Sequence, residues 1–184
     1  MTMAKTRWKD GLFARVIRPM SHHQRALTTG DLAALARLSA APHEPIELYR
    51  AIDRLVQDVI GHRLFTMMRV HEAESEVERI YSSNPAAYPV GGRKEKRGTR
   101  WSRAVLDRGE VFIARNADEV REAFADHALI ASLGIGSIMN IPIAYRDRRL
   151  GTMNISHEGG WFTDERASAG CLIAAFVAPS LLTD

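Results

Sequence analysis

The 184-residue sequence predicts an α+β fold, a mainly antiparallel sheet with helices at both ends of the chain. Three observations carry that expectation. Apolar residues recur at helical spacing over Ile46–Ile60. Two pairs of strand-like segments are each joined by a short charged turn, Leu64–Ser83 and Gly136–His157. The stretch from Thr163 to Ala178 again reads as helix, behind a capping threonine.

In chain order, Asp31–Ser39 (DLAALARLS) is rich in Ala and Leu and reads as a short helix, separated from the next by the two prolines of APHEP. Ile46, Tyr49, Ile52, Leu55, Val56, Val59 and Ile60 then form one broad apolar face, and Gly61 ends the helix. LFTMMRVH (64–71) and VERIYSS (77–83) are paired strands across the acidic turn EAESE. Residues 84–99, with two prolines and a cluster of charge, read as a loop. WSRAVLDR (101–108) fits a short helix stopped by Gly109, and VFIAR (111–115) a short strand. Ala117–Leu133 is expected to be one helix with Val120, Phe124, Leu129 and Ile130 inward. The hairpin 136–157 and the helix 163–178, with Asp164 and Glu165 in its first turn, complete the order. The terminal segment AGCLIAAFVA has almost no polar face, so it is expected to be buried on several sides, within one subunit or in a homodimer interface.

Composition is that of a globular domain, 46% hydrophobic and 26% charged. The net charge of +3 lies in the leader, where Lys5, Arg7, Lys9, Arg15 and Arg18 face one acid, Asp10. Residues 20–184 hold 20 cations against 21 acids, a net −1, which argues against nucleic acid as the partner of the whole fold. Domain organisation follows: an extension over 1–20, a helix and linker over 21–45, and the domain itself over 46–184. Trp8, Leu12, Phe13, Val16 and Ile17 could share a helical face, whereas initiation at Met20 would leave 1–19 as a disordered extension. No secretory signal or membrane-length apolar run is found, and a lone Cys171 suits a reducing cytoplasm and reads as a small core residue.

Chemistry is concentrated in the hairpin. Strand side chains alternate faces, so Met139, Ile141 and Ile143 share one face with Gly151, Met153 and Ile155. Ile138, Asn140 and Pro142 share the other with Leu150, Thr152, Asn154 and Ser156. The first series suits packing under helices. The second holds amides and hydroxyls that cost about 1–3 kcal/mol each when buried without a partner. They line a ligand pocket, bond neighbouring loops, or face water. Trp101, Phe112, Phe124, Tyr81 and Tyr88 are candidate pocket walls or core, and Arg69 is a candidate carboxylate partner or a solvated edge residue. Six cations against Glu95 in GRKEKRGTRWSR (92–103) make a solvated loop, a gate for an anionic ligand or, least favoured, a nucleic-acid contact. The seven histidines show no close metal-ligand spacing, and no metal site is expected. No Ser-His-Asp, Cys-His or paired-carboxylate pattern supports an enzyme.

Taken together, the helix before LFTMMRV, the segment WSRAVLDRGEVFIAR, the hairpin IGSIMNIPIAYRDRRLGTMNIS and the FTDE that opens the last helix resemble a GAF domain from about Ile46 to Leu182. Asp147-Arg148 departs from the Asp-Gly that would mark the hairpin turn more strongly. The resemblance implies a six-stranded antiparallel sheet with the terminal helices on one face. Loops and short helices from residues 84–134 would cover the other face and enclose a small organic ligand. It implies a homodimeric, cytoplasmic sensor acting through a signalling partner protein, or a ligand-free interaction module. Specialised members are excluded residue by residue. Cys171 cannot supply the several cysteines of methionine sulfoxide reductases, nor a bilin attachment in the pocket region. Asn116-Ala and Phe124-Ala-Asp-His break the cyclic-nucleotide signature Asn-Lys…Phe-x3-Asp-Glu. The ligand, and any cofactor, stays unidentified at this level.

Overall fold

The structure, a computed structural model, describes residues 24–95 and 98–182; the basic leader and its expected extension lie outside the described residues. Helix α1 (Thr29–Ala40) starts at a capping box, in which Thr28 accepts from the Asp31 amide and the Asp31 carboxylate accepts from the Thr28 amide. Arg25 adds two charge-assisted bonds to the same carboxylate, at 2.7 and 2.9 Å. These donors hold Asp31 well below the usual carboxylate range, Arg25 first. Helix α2 (Pro45–Val59) begins with proline at its first turn, where no amide donor is needed. It buries Leu48, Tyr49, Ile52, Leu55, Val56 and Val59, and the chain leaves it through Gly61 at φ +81°.

Six strands follow: β1 (Leu64–His71), β2 (Glu76–Ser82), β3 (Arg93–Glu95), β4 (Phe112–Ala114), β5 (Ser137–Tyr145) and β6 (Arg148–His157). They form one sheet in the order β3-β2-β1-β6-β5-β4, with every neighbouring pair antiparallel. Strand β3 lies in the segment read as a loop. Three charged residues on an exposed sheet edge give no alternation to read. The hairpin turn is Arg146-Asp147, one residue earlier than expected, because Tyr145 pairs with Arg148; Arg146 takes φ +55°.

Helix α6 (Asp164–Ala174) joins α1 and α2 on one side of the sheet. There Phe65, Met67, Met139, Ile141, Met153 and Ile155 pack beneath Leu48, Ile52, Val56 and Ile173, all essentially inaccessible. Full burial of each such side chain stabilises by roughly 1.5–3 kcal/mol. The opposite side carries α3 (Arg100–Ser102), α4 (Ala117–Ala123) and α5 (His127–Ser132), with their own apolar cluster over Leu64, Met68, Val77 and Ile138. Proline is tolerated at 142 because β4 pairs only with Ile138–Asn140, so no ladder bond is lost there.

Two expectations are corrected. The single helix over 117–133 is two, since Phe124 is extended (φ −128°, ψ 122°) and turns its ring inward; Leu129 is exposed as a result. Cys171 is exposed rather than core. Residues Cys171, Leu172 and Ala175 leave one side of the terminal helical segment open, whereas Gly170, Ile173 and Ala174 are buried.

The end of β6 makes a pH-sensitive contact. His157 stacks on Trp161 with ring centroids 3.7 Å apart, and its Nδ1 accepts from the Glu158 amide. Burial pushes the imidazole down to about 4, Arg63, Arg166 and His62 push the same way, and Glu158 opposes them. Between about pH 4 and the ordinary value of 6.5 the unfolded chain therefore binds a proton that the folded chain refuses. Stability is full above 6.5 and falls through that window, by on the order of 1–2 kcal/mol after allowing for solvent screening of a half-buried ring. Urea denaturation at pH 7 and pH 4.5 should show a larger loss for the native chain than for His157→Gln. Equal losses would place the titration elsewhere.

Candidate functional site

The site is built where two bulges re-aim the sheet. Met67 pairs with Tyr81 and Met68 with Arg79, so Ile80 is an extra residue in β2. Simple alternation puts Val77, Arg79 and Tyr81 on one face. The bulge instead leaves Arg79 among the groups facing α3–α5 and sends Tyr81 to the helical side. There the Tyr81 hydroxyl donates to Asp53 of α2 at 2.6 Å. Burial, then Asp53, pushes its phenol well above the usual range. A second bulge lies between Ile143–Gly151 and Ala144–Arg149, and it turns Leu150 into the helical core, against the expected alternation.

Between the sheet and α3–α5 lies a cavity of about 50 Å³. At about 10–15 Å³ per water, it holds about three to five water-sized groups. Its floor is a polar relay across three central strands: Asn140 Nδ2 donates to Asn154 Oδ1 at 2.7 Å, and Asn154 Nδ2 to Thr66 Oγ1 at 3.2 Å. The register places these three side by side, since Asn140 pairs with Asn154 and Asn154 with Thr66. Ser156 extends the floor. Asn140 is 4% exposed, and its Oδ1 has no hydrogen-bond partner.

The walls are apolar: Leu64, Met68, Trp101, Phe124, Ile130 and Ile138, with Tyr88 above. Trp101 is positioned by a short capping box, Thr99 with Ser102. The chain then winds as a π-helical turn over Arg103–Arg108, closed by Gly109 at φ +71°, against which the Arg149 guanidinium lies. Such wide turns are frequent at functional sites.

The rim is charged. The Arg79 guanidinium lies 4.9 Å from the Tyr88 ring centroid and donates to Pro89 O at 2.9 Å, while its buried Nε lacks a partner. Lys94 is an exposed residue of β3, yet its ammonium end lies 4.8 Å from the Trp101 ring centroid, and burial of that end lowers its pKa. Arg79 is lowered by burial as well. Tyr88 donates to Asp126 at 2.9 Å, and burial, then Asp126, raises its phenol.

Of the residues singled out in the sequence, Asn140, Asn154, Ser156, Trp101, Phe124 and Tyr88 line this cavity. Thr152 is fully buried, its hydroxyl without a partner, but lies outside the lining. Phe112 stands behind Phe124, ring centroids 6.4 Å apart. Tyr81 is on the far face, and Arg69 borders a separate groove with His71 and Arg148. Sequence reading missed Thr66, Arg79 and Asp126, and named Lys94 only as one of the six cations of the 92–103 segment. Thr66 is the one small polar residue within LFTMM, a signal that was present. Among the described residues no cluster of His, Cys, Asp or Glu could hold a metal ion, and no helix is long and apolar enough to cross a membrane.

A polar-floored cavity between a six-stranded antiparallel sheet and short helices agrees with the family assignment, for residues 44–181 match the model of the GAF domain. The chain belongs to the GAF domain family. GAF domains are sensory and regulatory modules. Among solved structures, this one is similar to the GAF domain of an Acinetobacter phosphoenolpyruvate-protein phosphotransferase. They share a TM-score of 0.67 and 14% identity over 83% of this chain and 91% of that one. The corresponding domain from Coxiella burnetii gives 0.67 and 14% over 81% and 89%. The phycocyanobilin-bound GAF domain of a cyanobacterial phytochrome gives 0.66 and 15% over 85% and 94%. At these identities the likeness is one of fold. No curated protein matches the chain in sequence.

Proposed function

We propose that this GAF domain is a small-molecule sensor that encloses a compact organic ligand over the Asn140–Asn154–Thr66 floor. The observation that supports it best is the unpartnered Asn140 Oδ1, buried in a cavity with polar and apolar walls. Leaving such an atom unsatisfied costs about 1–3 kcal/mol, and a guest that donates to it removes that cost. The phytochrome relative binds phycocyanobilin in the same fold; a tetrapyrrole is far larger than the 50 Å³ cavity, so the guest here is smaller. Thermal-shift screening with nucleotides, amino acids, nucleobases and organic acids should find a stabilising compound. At a hundred times its Kd, a ligand adds about 2.7 kcal/mol, or roughly 5–10 °C for a chain of this size. A panel with no shift would favour the second reading, a ligand-free interaction module, for which the small volume of the cavity speaks.

A second copy of the chain is proposed to pack on the open side of the terminal helices. Leu172 is 53% exposed on α6, and Ala33, Ala34 and Ala36 are exposed on α1. Light scattering at micromolar concentration should give twice the monomer mass, and Leu172→Glu should return it to the monomer. A strictly monomeric native chain would remove this part of the proposal. Output would then pass to a partner protein in the cytoplasm, with neither nucleic acid nor membrane required.

A further inference from the structure

The rim and floor of the cavity differ in what they lack, and the difference defines a class of ligand. At the floor, Asn140 Oδ1 is an acceptor without a donor. At the rim, Arg79 Nε is a buried donor without an acceptor, and Lys94 brings a second cation beside Trp101. Among the described residues the lining holds two cations, Arg79 and Lys94, against one carboxylate, Asp126, which already accepts from Tyr88. One positive charge is left for a guest. We infer that the guest is a short organic acid whose carboxylate meets Arg79 and Lys94 and whose hydroxyl or amine donates to Asn140 Oδ1.

Register supports the spacing. Asn140 on β5 and Arg79 on β2 are separated by β6 and β1, so three strand spacings of about 4.8 Å put the two backbones about 14 Å apart across the sheet. Both residues line the cavity, whose volume admits only a few non-hydrogen atoms. The apolar walls, Met68, Phe124 and Ile138 among them, suit the carbon chain. A carboxylate suits the rim better than a neutral group does, because guanidinium and ammonium donors bind it through charge-assisted hydrogen bonds.

This inference rests on the ligand-sensor reading, and the test separates the two. Binding by calorimetry is measured for glycolate, lactate, 3-hydroxybutyrate and 4-hydroxybutyrate. Each is set beside the matched acid lacking the hydroxyl and the matched alcohol lacking the carboxylate. At least one hydroxy acid should bind, about tenfold more tightly than either control, the worth of one hydrogen bond. Asn140→Leu should erase the preference over the hydroxyl-free acid, and Arg79→Gln the preference over the alcohol. Should Asn140→Leu fail to fold, Arg79→Gln, at a half-buried site, carries the test alone. Either control binding as well as its hydroxy acid would overturn the inference. So would a cavity that takes only neutral or cationic compounds from the wider screen, although the sensor reading would survive. If nothing in either set binds, both fall.

Discussion

Gly151→Ala should cost the protein at least about 3 kcal/mol, and the variant should be largely insoluble or unfolded at 37 °C. Strand β6 is central, and Gly151 pairs with Arg69 on one side and Ile143 on the other. A Cβ at 151 would stand 2.2 Å from the Met68 carbonyl oxygen and 3.0 Å from Leu181 Cδ1. The carbonyl belongs to the backbone of β1, so the clash is relieved only by prising β1 from β6. Overpacking a core usually costs 1–3 kcal/mol, and here the obstructing atom cannot rotate away. Gly170→Ala is the internal comparison. Its Cβ would meet Ile141 Cδ1 at 2.4 Å, the end of a side chain that can change rotamer, so about 1 kcal/mol is expected. Urea midpoints for the two variants decide the matter. Equal stability for native chain and Gly151→Ala would show that β1 and β6 can part at this point without cost, against the prediction.

Asp53→Ala should lose about 2–3 kcal/mol, and Asp53→Asn distinctly less. Asp53 on α2 accepts from the Tyr81 hydroxyl at 2.6 Å. Its other oxygen lies 2.7 Å from His62 Nε2, a close contact short of good hydrogen-bond angles. Tyr81 also meets Tyr49 and Phe65 edge-on, at 6.2 and 5.9 Å between centroids. The carboxylate thus joins α2 to β2 through a buried phenol. Removing it leaves that hydroxyl without an acceptor, whereas Asn keeps an oxygen for Tyr81. A hydrogen bond to a charged group contributes about 1.5–3 kcal/mol. A double-mutant cycle with Tyr81→Phe should give a coupling above about 1 kcal/mol; additive losses would show that the two side chains do not act together.

The same tyrosine shows where sequence reading reaches its limit. Val77, Arg79 and Tyr81 alternate without interruption, so nothing in VERIY announces the extra residue that separates Arg79 from Tyr81 in the fold. The bulge is a property of pairing, set jointly by β1 and β2, and it assigns Arg79 to the cavity and Tyr81 to the helices. Leu150 repeats the lesson at the other bulge. Phe124 differs in kind. The helical pattern over 117–133 is genuine locally, but the chain breaks it so that a large ring can fill the space beside Phe112. Lys94 and Asp126 come from segments whose local pattern is merely polar; what brings their ends to the cavity is the path of the chain.

By itself the sequence determined five of the six strands, the apolar face of α2, that the hairpin has one wholly apolar face, and that Asn140 and Asn154 stand on the reverse. Those features follow from periodicities of 2.0 and 3.6 residues, which depend on neighbours along the chain. Only the tertiary structure decided the composition of the cavity: Arg79 and Lys94 at its rim, the orphaned amide oxygen of Asn140 and the small volume they enclose. Bulge position, helix interruption and edge pairing are set by contacts between residues far apart in sequence, and no local period encodes them.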